Sequence, residues 1–171
     1  MLQQVLIRRR QLMQQAEGYL ELGMFSHAID ALARLDETGA GKAHALYLRG
    51  EALRGLADYE SAIEWLERAA EVEPENFHVY LALGWCHKRC ERVDMAIQAL
   101  HRALNVADDE AIVHYNLACY YSLERRKAAA LEHLARAFEL DESFRDLVAD
   151  EPDFEPLRGD ADFRHLTSVI V

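Results

Sequence analysis

The sequence has little of what would mark an extracellular, membrane-spanning or disordered protein. Its 171 residues include 3 cysteines, 3 prolines and 8 glycines. An odd number of cysteines does not make a disulfide framework, and free thiols fit a reducing compartment, so we expect a cytoplasmic protein. No apolar run approaches the roughly 18 residues of a membrane helix, and the N-terminus lacks an apolar signal region. We therefore expect no membrane association.

Basic charge is also scarce, and this bears on the class of partner. The formal net charge is −11, with 19 Lys and Arg against 30 Asp and Glu. The acidic excess is concentrated in residues 139–171, whereas residues 77–138 have 8 basic and 7 acidic residues. A nucleic-acid-binding protein normally presents a basic face or stripe. The Arg8–Arg10 cluster lies in a predicted helix and is interpreted as a solvated face, so no nucleic-acid partner is predicted.

Small and apolar residues recur every 34 residues through most of the chain. The repeated alanines are Ala28, Ala62, Ala96 and Ala130. Each is followed four residues later by a leucine: Leu32, Leu66, Leu100 and Leu134. Each is preceded twelve residues earlier by a very small residue: Ala16, Gly50, Gly84 and Ala118. Each unit is therefore predicted to be two helices that approach closely at the small residues, and stacked units bury their apolar faces together.

This period and pattern resemble the tetratricopeptide repeat (TPR). The match is fullest in the second repeat, at Gly50, Ala62, Leu66, Ala69 and Pro74. The turn glycine of the family occurs only as Gly23; the corresponding residues of the other repeats are Ala57, Glu91 and Arg125. The resemblance implies an all-α, right-handed α-solenoid. Its four repeats would span residues 1–144, at about 9–42, 43–76, 77–110 and 111–144, with a C-terminal helical cap over 145–171.

Helices are predicted at about 2–22, 25–37, 42–56, 59–73, 76–90, 93–106, 110–123 and 127–140. The segment that follows does not continue the period. Ser143 is predicted to cap a short helix over 144–149, Pro152 and Pro156 break the chain, and Asp160 starts a last helix. This segment resembles the ending of many bacterial TPR proteins, which implies a bacterial source. The residues that carry this resemblance are Phe144, Leu147, Asp153, Phe154, Pro156, Leu157, Arg158, Asp160, Phe163 and Leu166, and the apolar ones among them are predicted to pack on the last hairpin.

The sequence contains no pattern typical of a catalytic, cofactor or metal site. Cys86, His87 and Cys90 form C-H-x-x-C on one predicted helix, but two of these positions match the buried stripe of the hairpin. Cysteine behaves there as a small hydrophobe, and the second ligand pair that a structural zinc site needs is missing. No Gly-rich phosphate loop, H-E-x-x-H or nucleophile motif occurs. We predict a non-enzyme without cofactor or metal.

The first helix of each repeat is predicted to line a concave groove. Large apolar and aromatic residues fall there, where a solvated helix face would be charged. The partner is therefore expected to bring apolar anchors with some acidic residues. The candidate groove residues are Tyr47, Arg54, Leu81, Trp85, Lys88, Arg89, Ile112, Tyr115 and Cys119. The other interpretation is that these side chains pack against neighbouring repeats.

Two functions fit this pattern. The first is a scaffold or adaptor that binds a peptide or partner segment in the groove. The alternative is a small acidic TPR chaperone that masks apolar segments of a client, such as a secreted protein. The sequence leaves self-association open.

Overall fold

The computed structural model describes residues 2–35 and 41–168, and the regular secondary structure among those residues is helical, with no strand. The eight long helices are α1 (Leu2–Glu21), α2 (Phe25–Ala33), α3 (Lys42–Gly55), α4 (Tyr59–Val72), α5 (Phe77–Arg89), α6 (Val93–Val106), α7 (Ala111–Leu123) and α8 (Lys127–Leu140). They pack as four hairpins, α1 with α2 through α7 with α8. The predicted all-α fold of paired helices is confirmed. α2 ends about four residues before its predicted end, and residues 36–40 lie outside the described part.

The 34-residue pattern coincides with the closest helix contacts. All four repeated alanines and all four leucines are buried, as are the small residues on the first helices. A Cβ atom added to Gly50 would come within 2.6 Å of Leu66 Cγ, and one added to Gly84 within 2.9 Å of Leu100 Cδ2. Glycine is therefore required at these two positions because the leucine side chain of the second helix already fills the space that a larger residue would need.

The turn inside each hairpin keeps one backbone geometry although its residue type varies. Gly23, Ala57, Glu91 and Arg125 all have left-handed φ angles, of 69°, 61°, 60° and 55°. The glycine that is missing from three repeats has therefore been replaced without a change of turn.

The segment after α8 contains two 3-10 helices, Glu142–Leu147 and Pro152–Leu157, and a short helix α9 (Ala161–Thr167). Asp141, rather than the predicted Ser143, caps the first, because its carboxylate accepts a hydrogen bond from the Ser143 amide at 3.0 Å. Asp160 caps α9 as predicted, accepting from Asp162 N and Phe163 N. Residues 169–171 lie outside the described part. Within it, no helix is both long and apolar enough to cross a membrane.

This C-terminal segment, residues 141–168, which we call the tail, packs on the last hairpin. The second 3-10 helix contacts α7, while the first and α9 contact α8. Phe154, Leu157 and Phe163 are buried, and Phe144 and Leu166 are partly buried. Leu147, predicted to pack with them, is 52% exposed, because the inward position is taken by the buried Val148. Arg158 fixes the chain between the two 3-10 helices by donating hydrogen bonds to the carbonyls of Ala149 and Glu151.

Candidate functional site: a groove that is open at one end and covered at the other

The first helices of the hairpins line a pocket of about 560 Å³ between the first three repeats, which we call the open groove. Most of its lining residues lie on α1, α3 and α5. Phe25, at the start of α2, and Tyr59, at the start of α4, add two aromatic rings. Its lining residues are Glu17, Leu20, Glu21, Phe25, Tyr47, Leu48, Glu51, Arg54, Gly55, Ala57, Tyr59 and Trp85. Apolar surface and a few charged groups therefore meet in one concavity, which is typical of a binding site.

Trp85 lies at the α5 end of the open groove with cationic groups around it. The Arg54 guanidinium carbon is 5.1 Å from the centre of the Trp85 ring, and that of Arg89 is 5.6 Å away. Tyr59 meets the same ring edge-on, at a centroid distance of 5.4 Å. Guanidinium groups over an indole face are attracted by its quadrupole, so this wall is pre-organised and positively charged.

The charges at the two ends of the open groove differ. Arg54 donates two hydrogen bonds to the carboxylate of Glu51, Nε to Oε1 at 2.9 Å and Nη2 to Oε2 at 2.7 Å. This pairing raises the pKa of Arg54. Burial, with a smaller effect of Glu51, raises the pKa of Tyr47 to about 12, so its hydroxyl stays neutral. At the α1 end, Glu17 and Glu21 present carboxylates, and the His44 ring nitrogen lies 2.6 Å from Glu17.

Farther along the same side, α7 is covered by the tail. Tyr115 and Cys119 are only 4% and 2% exposed. The Tyr115 ring packs against Phe144 and Phe154, at centroid distances of 5.1 and 5.7 Å. We call this covered surface, formed by Lys88, Tyr115 and Cys119, the tail seat.

An ion pair closes the edge of the tail seat. Lys88 Nζ lies 2.9 Å from Asp153 Oδ2, and the two side chains are 26% and 11% exposed. Because both groups are largely shielded from water, the loss of one would leave the other charge poorly solvated. Asp153 and the adjacent Phe154 therefore fix the tail by charge and by apolar packing together.

The structure divides the nine predicted groove residues into three sets. Tyr47, Arg54 and Trp85 line the open groove, and Arg89 lies over the Trp85 ring. Leu81 and Ile112 are partly buried against the core. Lys88, Tyr115 and Cys119 form the tail seat and contact the chain's own C-terminal segment.

Sequence reasoning missed two features of the site. Phe25 and Tyr59 enter the open groove from the first turns of second helices, which were not expected to contribute. Gly55 was the available signal, since a Cβ atom there would come within 2.4 Å of the Phe25 ring. The occupation of the tail seat was also missed, because the tail does not follow the repeat period that defines the groove.

The described residues contain one group with metal-ligand chemistry, Cys119, Glu151 and Asp153, whose ligand atoms lie within 4.8 Å of one another. Burial raises the pKa of Cys119, and the two carboxylates raise it further, so the thiol stays protonated. Lys88 already neutralises Asp153. Three ligand atoms are one fewer than the four that a structural zinc site uses. The C-H-x-x-C residues are packed instead: Cys86 and His87 are buried, and burial raises the pKa of Cys86 to about 12.

Comparisons with known proteins agree with the repeat pattern. Sequence profiles described as tetratricopeptide repeat match residues 53–118 and 111–144. No curated protein matches significantly. A crystal structure of MamA superposes with a TM-score of 0.71 at 22% identity, over 79% of each chain. MamA from Desulfovibrio magneticus RS-1 gives a TM-score of 0.70 at 23% identity, over 77% of this chain and 75% of the other.

A third similar structure is YrrB, described as a TPR protein with an unusual peptide-binding site. Its TM-score is 0.65 at 20% identity, over 74% of this chain and 66% of the other. At these identities the likeness concerns the fold.

Proposed function

Because the chain belongs to the tetratricopeptide-repeat family, we propose that it is a non-catalytic adaptor that binds a short segment of another protein in the open groove. The observation that carries this proposal is the pocket of about 560 Å³ lined by Tyr47, Tyr59 and Trp85. Aromatic side chains that become desolvated supply much of the energy of protein interfaces. A ready-made concavity also spares a partner part of the ordering cost of binding.

The proposal also specifies how long the partner segment is and which repeats it binds. Since the tail covers α7, a partner segment has access to the surface of the first three repeats and not to the fourth. A short segment with apolar anchors suits this length better than the long client segments that a dedicated chaperone would mask. The similarity to YrrB, a TPR protein with an unusual peptide-binding site, supports the same class of ligand. Three cysteines without a disulfide among the described residues agree with a cytoplasmic location.

The test is a selection from a random peptide display library on the full chain, followed by calorimetric titration of the selected peptides. Trp85→Ala should weaken their binding by about thirtyfold, the effect of removing an interface hot spot. Arg102→Ala is the matched control, because Arg102 is an exposed residue of α6 that contacts Glu67 and Tyr80 outside the open groove. Selected peptides that bind wild type and Trp85→Ala equally, with both proteins folded, would refute the proposal.

A further inference from the structure

The tail seat shows what kind of segment this repeat surface binds. Its cation and its apolar groups come from successive first helices, Lys88 from α5 and Tyr115 from α7. The bound segment places a carboxylate on the cation, at 2.9 Å, and the aromatic ring of the next residue on the apolar wall. An acidic residue followed directly by an aromatic residue is therefore the chemistry that fills one site on this surface.

Part of this arrangement recurs one repeat earlier, in the open groove, although the equivalent of Tyr115 there is Leu81, which is partly buried against the core. Arg54 precedes Lys88 by 34 residues, and Trp85 precedes Cys119 by 34 residues. Arg54 on α3 and Trp85 on α5 thus stand to each other as Lys88 and Cys119 do in the tail seat. The difference is that no segment of the described chain fills this earlier site, which is an open pocket.

The charges around Trp85 suit an incoming carboxylate. Arg54 and Arg89 both lie over the Trp85 ring, and Glu51 forms an ion pair with Arg54. Glu51 sits one helical turn from Arg54 on the same helix, so it acts as a local partner that a ligand carboxylate can replace or share. The Tyr47, Tyr59 and Trp85 side chains provide the apolar wall for the ring.

From this repetition we propose that the open groove recognises an acidic-aromatic segment, an Asp or Glu followed directly by Phe or a similar ring, in the partner protein. The carboxylate binds Arg54 and Arg89, and the ring packs on Trp85. This inference rests on the proposed function and specifies its ligand. The carboxylates of Glu17 and Glu21 at the other end repel the acidic residue, so it is held at the α5 end of the open groove.

The probe that tests this is a fluorescein-labelled synthetic peptide of residues 149–158 of this chain, which contains Asp153 and Phe154 in their natural context. It is titrated with the full-length protein, whose own tail remains in place, and binding is followed by fluorescence anisotropy. We expect saturable binding that weakens by at least about tenfold when the peptide carries Asp153→Asn or Phe154→Ala. Equal binding of the three peptides would overturn the inference.

Protein variants locate the binding. Arg54→Ala should weaken binding of the probe by at least about tenfold, and Arg102→Ala should leave its affinity unchanged. Thermal melting checks that both variants are folded. If Lys88→Ala weakens the probe and Arg54→Ala does not, the peptide is exchanging with the natural tail and the inference fails. If the probe does not bind although library-selected peptides still depend on Trp85, the acidic-aromatic specificity is wrong and the adaptor function stands. If both tests are negative, both proposals fall.

Discussion

The turn residue of each hairpin shows how a repeat tolerates substitution at single positions. Glu91 adopts a φ of 60°, in the left-handed region that costs a residue with a Cβ atom about 1–2 kcal/mol. The fold accepts this cost because the turn is held by backbone hydrogen bonds, including Arg92 N to His87 O at 2.9 Å. Local strain is thus compensated by packing of the two helices that the turn connects.

Replacing Glu91 by glycine should therefore stabilise the protein by up to about 1 kcal/mol, since relief of strain exceeds the chain-entropy cost of glycine. Urea denaturation measures the change. The matched control is Glu132→Gly, the same substitution at an exposed position inside α8. It should destabilise by about 1 kcal/mol. Equal losses in the two variants would contradict the assigned turn geometry.

We expect the pKa of His133 to lie well below that of an ordinary histidine. Burial, together with the nearby His114 and His101, lowers its pKa from 6.5 to about 4. Its Nδ1 atom lies 2.9 Å from His114 Nδ1, and its ring stacks on Tyr121. Because the unfolded state binds the proton more tightly, the stability contributed by neutral His133 is present above pH 6.5 and is lost as the pH falls towards 4.

Proton NMR of the imidazole ring measures this directly, with an expected midpoint for His133 near pH 4. The His133→Asn variant should lose less stability than wild type between pH 6.5 and 4. A titration midpoint of His133 near pH 6.5 would mean that its ring is not packed against His114 and Tyr121 of α7.

At the scale of elements, the tail completes the last hairpin. α7 has buried apolar side chains, including Tyr115 and Cys119, and the second 3-10 helix packs on this helix. Phe154 is completely buried there, with Tyr115 and Phe163 as ring neighbours. A terminal repeat would otherwise expose the surface that inner repeats bury against one another.

The tail therefore offers a comparison between a buried and an exposed apolar residue. Phe154→Ala should cost about 3–5 kcal/mol, because it removes a buried aromatic side chain. Leu147→Ala should change stability by less than about 0.5 kcal/mol, because Leu147 is 52% exposed. Thermal and urea denaturation check both values. A Phe154→Ala variant as stable as wild type would show that the tail is a mobile arm.

The sequence predicted the long helices because their signals are local and repeated. The buried alanines and leucines recur at one interval, so each repeat supports the assignment of the others. The tail was harder to predict, because its packing is set by α7 and α8 rather than by its own periodicity. Leu147 illustrates this: its spacing from Phe144 suggests an inward position, yet Val148 occupies that position.

The candidate site was predicted in part for the same reason. The first-helix periodicity correctly indicated that Tyr47, Arg54 and Trp85 share one surface. It could not indicate that Phe144 and Phe154, which come 29 and 39 positions later in the chain, pack on Tyr115. Long-range contacts leave no mark on a local pattern. The apolar character of Tyr115 and Cys119 is explained by the tail that covers them.

At the scale of the whole molecule, one surface has two parts. The tail covers the tail seat, and the open groove is accessible to a partner. The strongly acidic tail is consistent with this division, since its Asp153 pairs with Lys88, which lies in the segment 77–138 where basic residues slightly outnumber acidic ones. Two tryptophans report on the two sides of the molecule. Trp85 lines the open groove, whereas Trp65 lies on α4 between Arg49 and Arg68.

The most direct test of the groove is a two-dimensional ¹H–¹⁵N NMR titration with the acidic-aromatic peptide or a library-selected peptide. The indole N–H signal of Trp85 should shift progressively to saturation, together with the backbone signals of Tyr47 and Arg54. The Trp65 indole and the amides of Tyr115 and Cys119 should stay in place. Shifts at Trp65 with an unmoved Trp85 signal would contradict the account, because the partner would then bind outside the open groove.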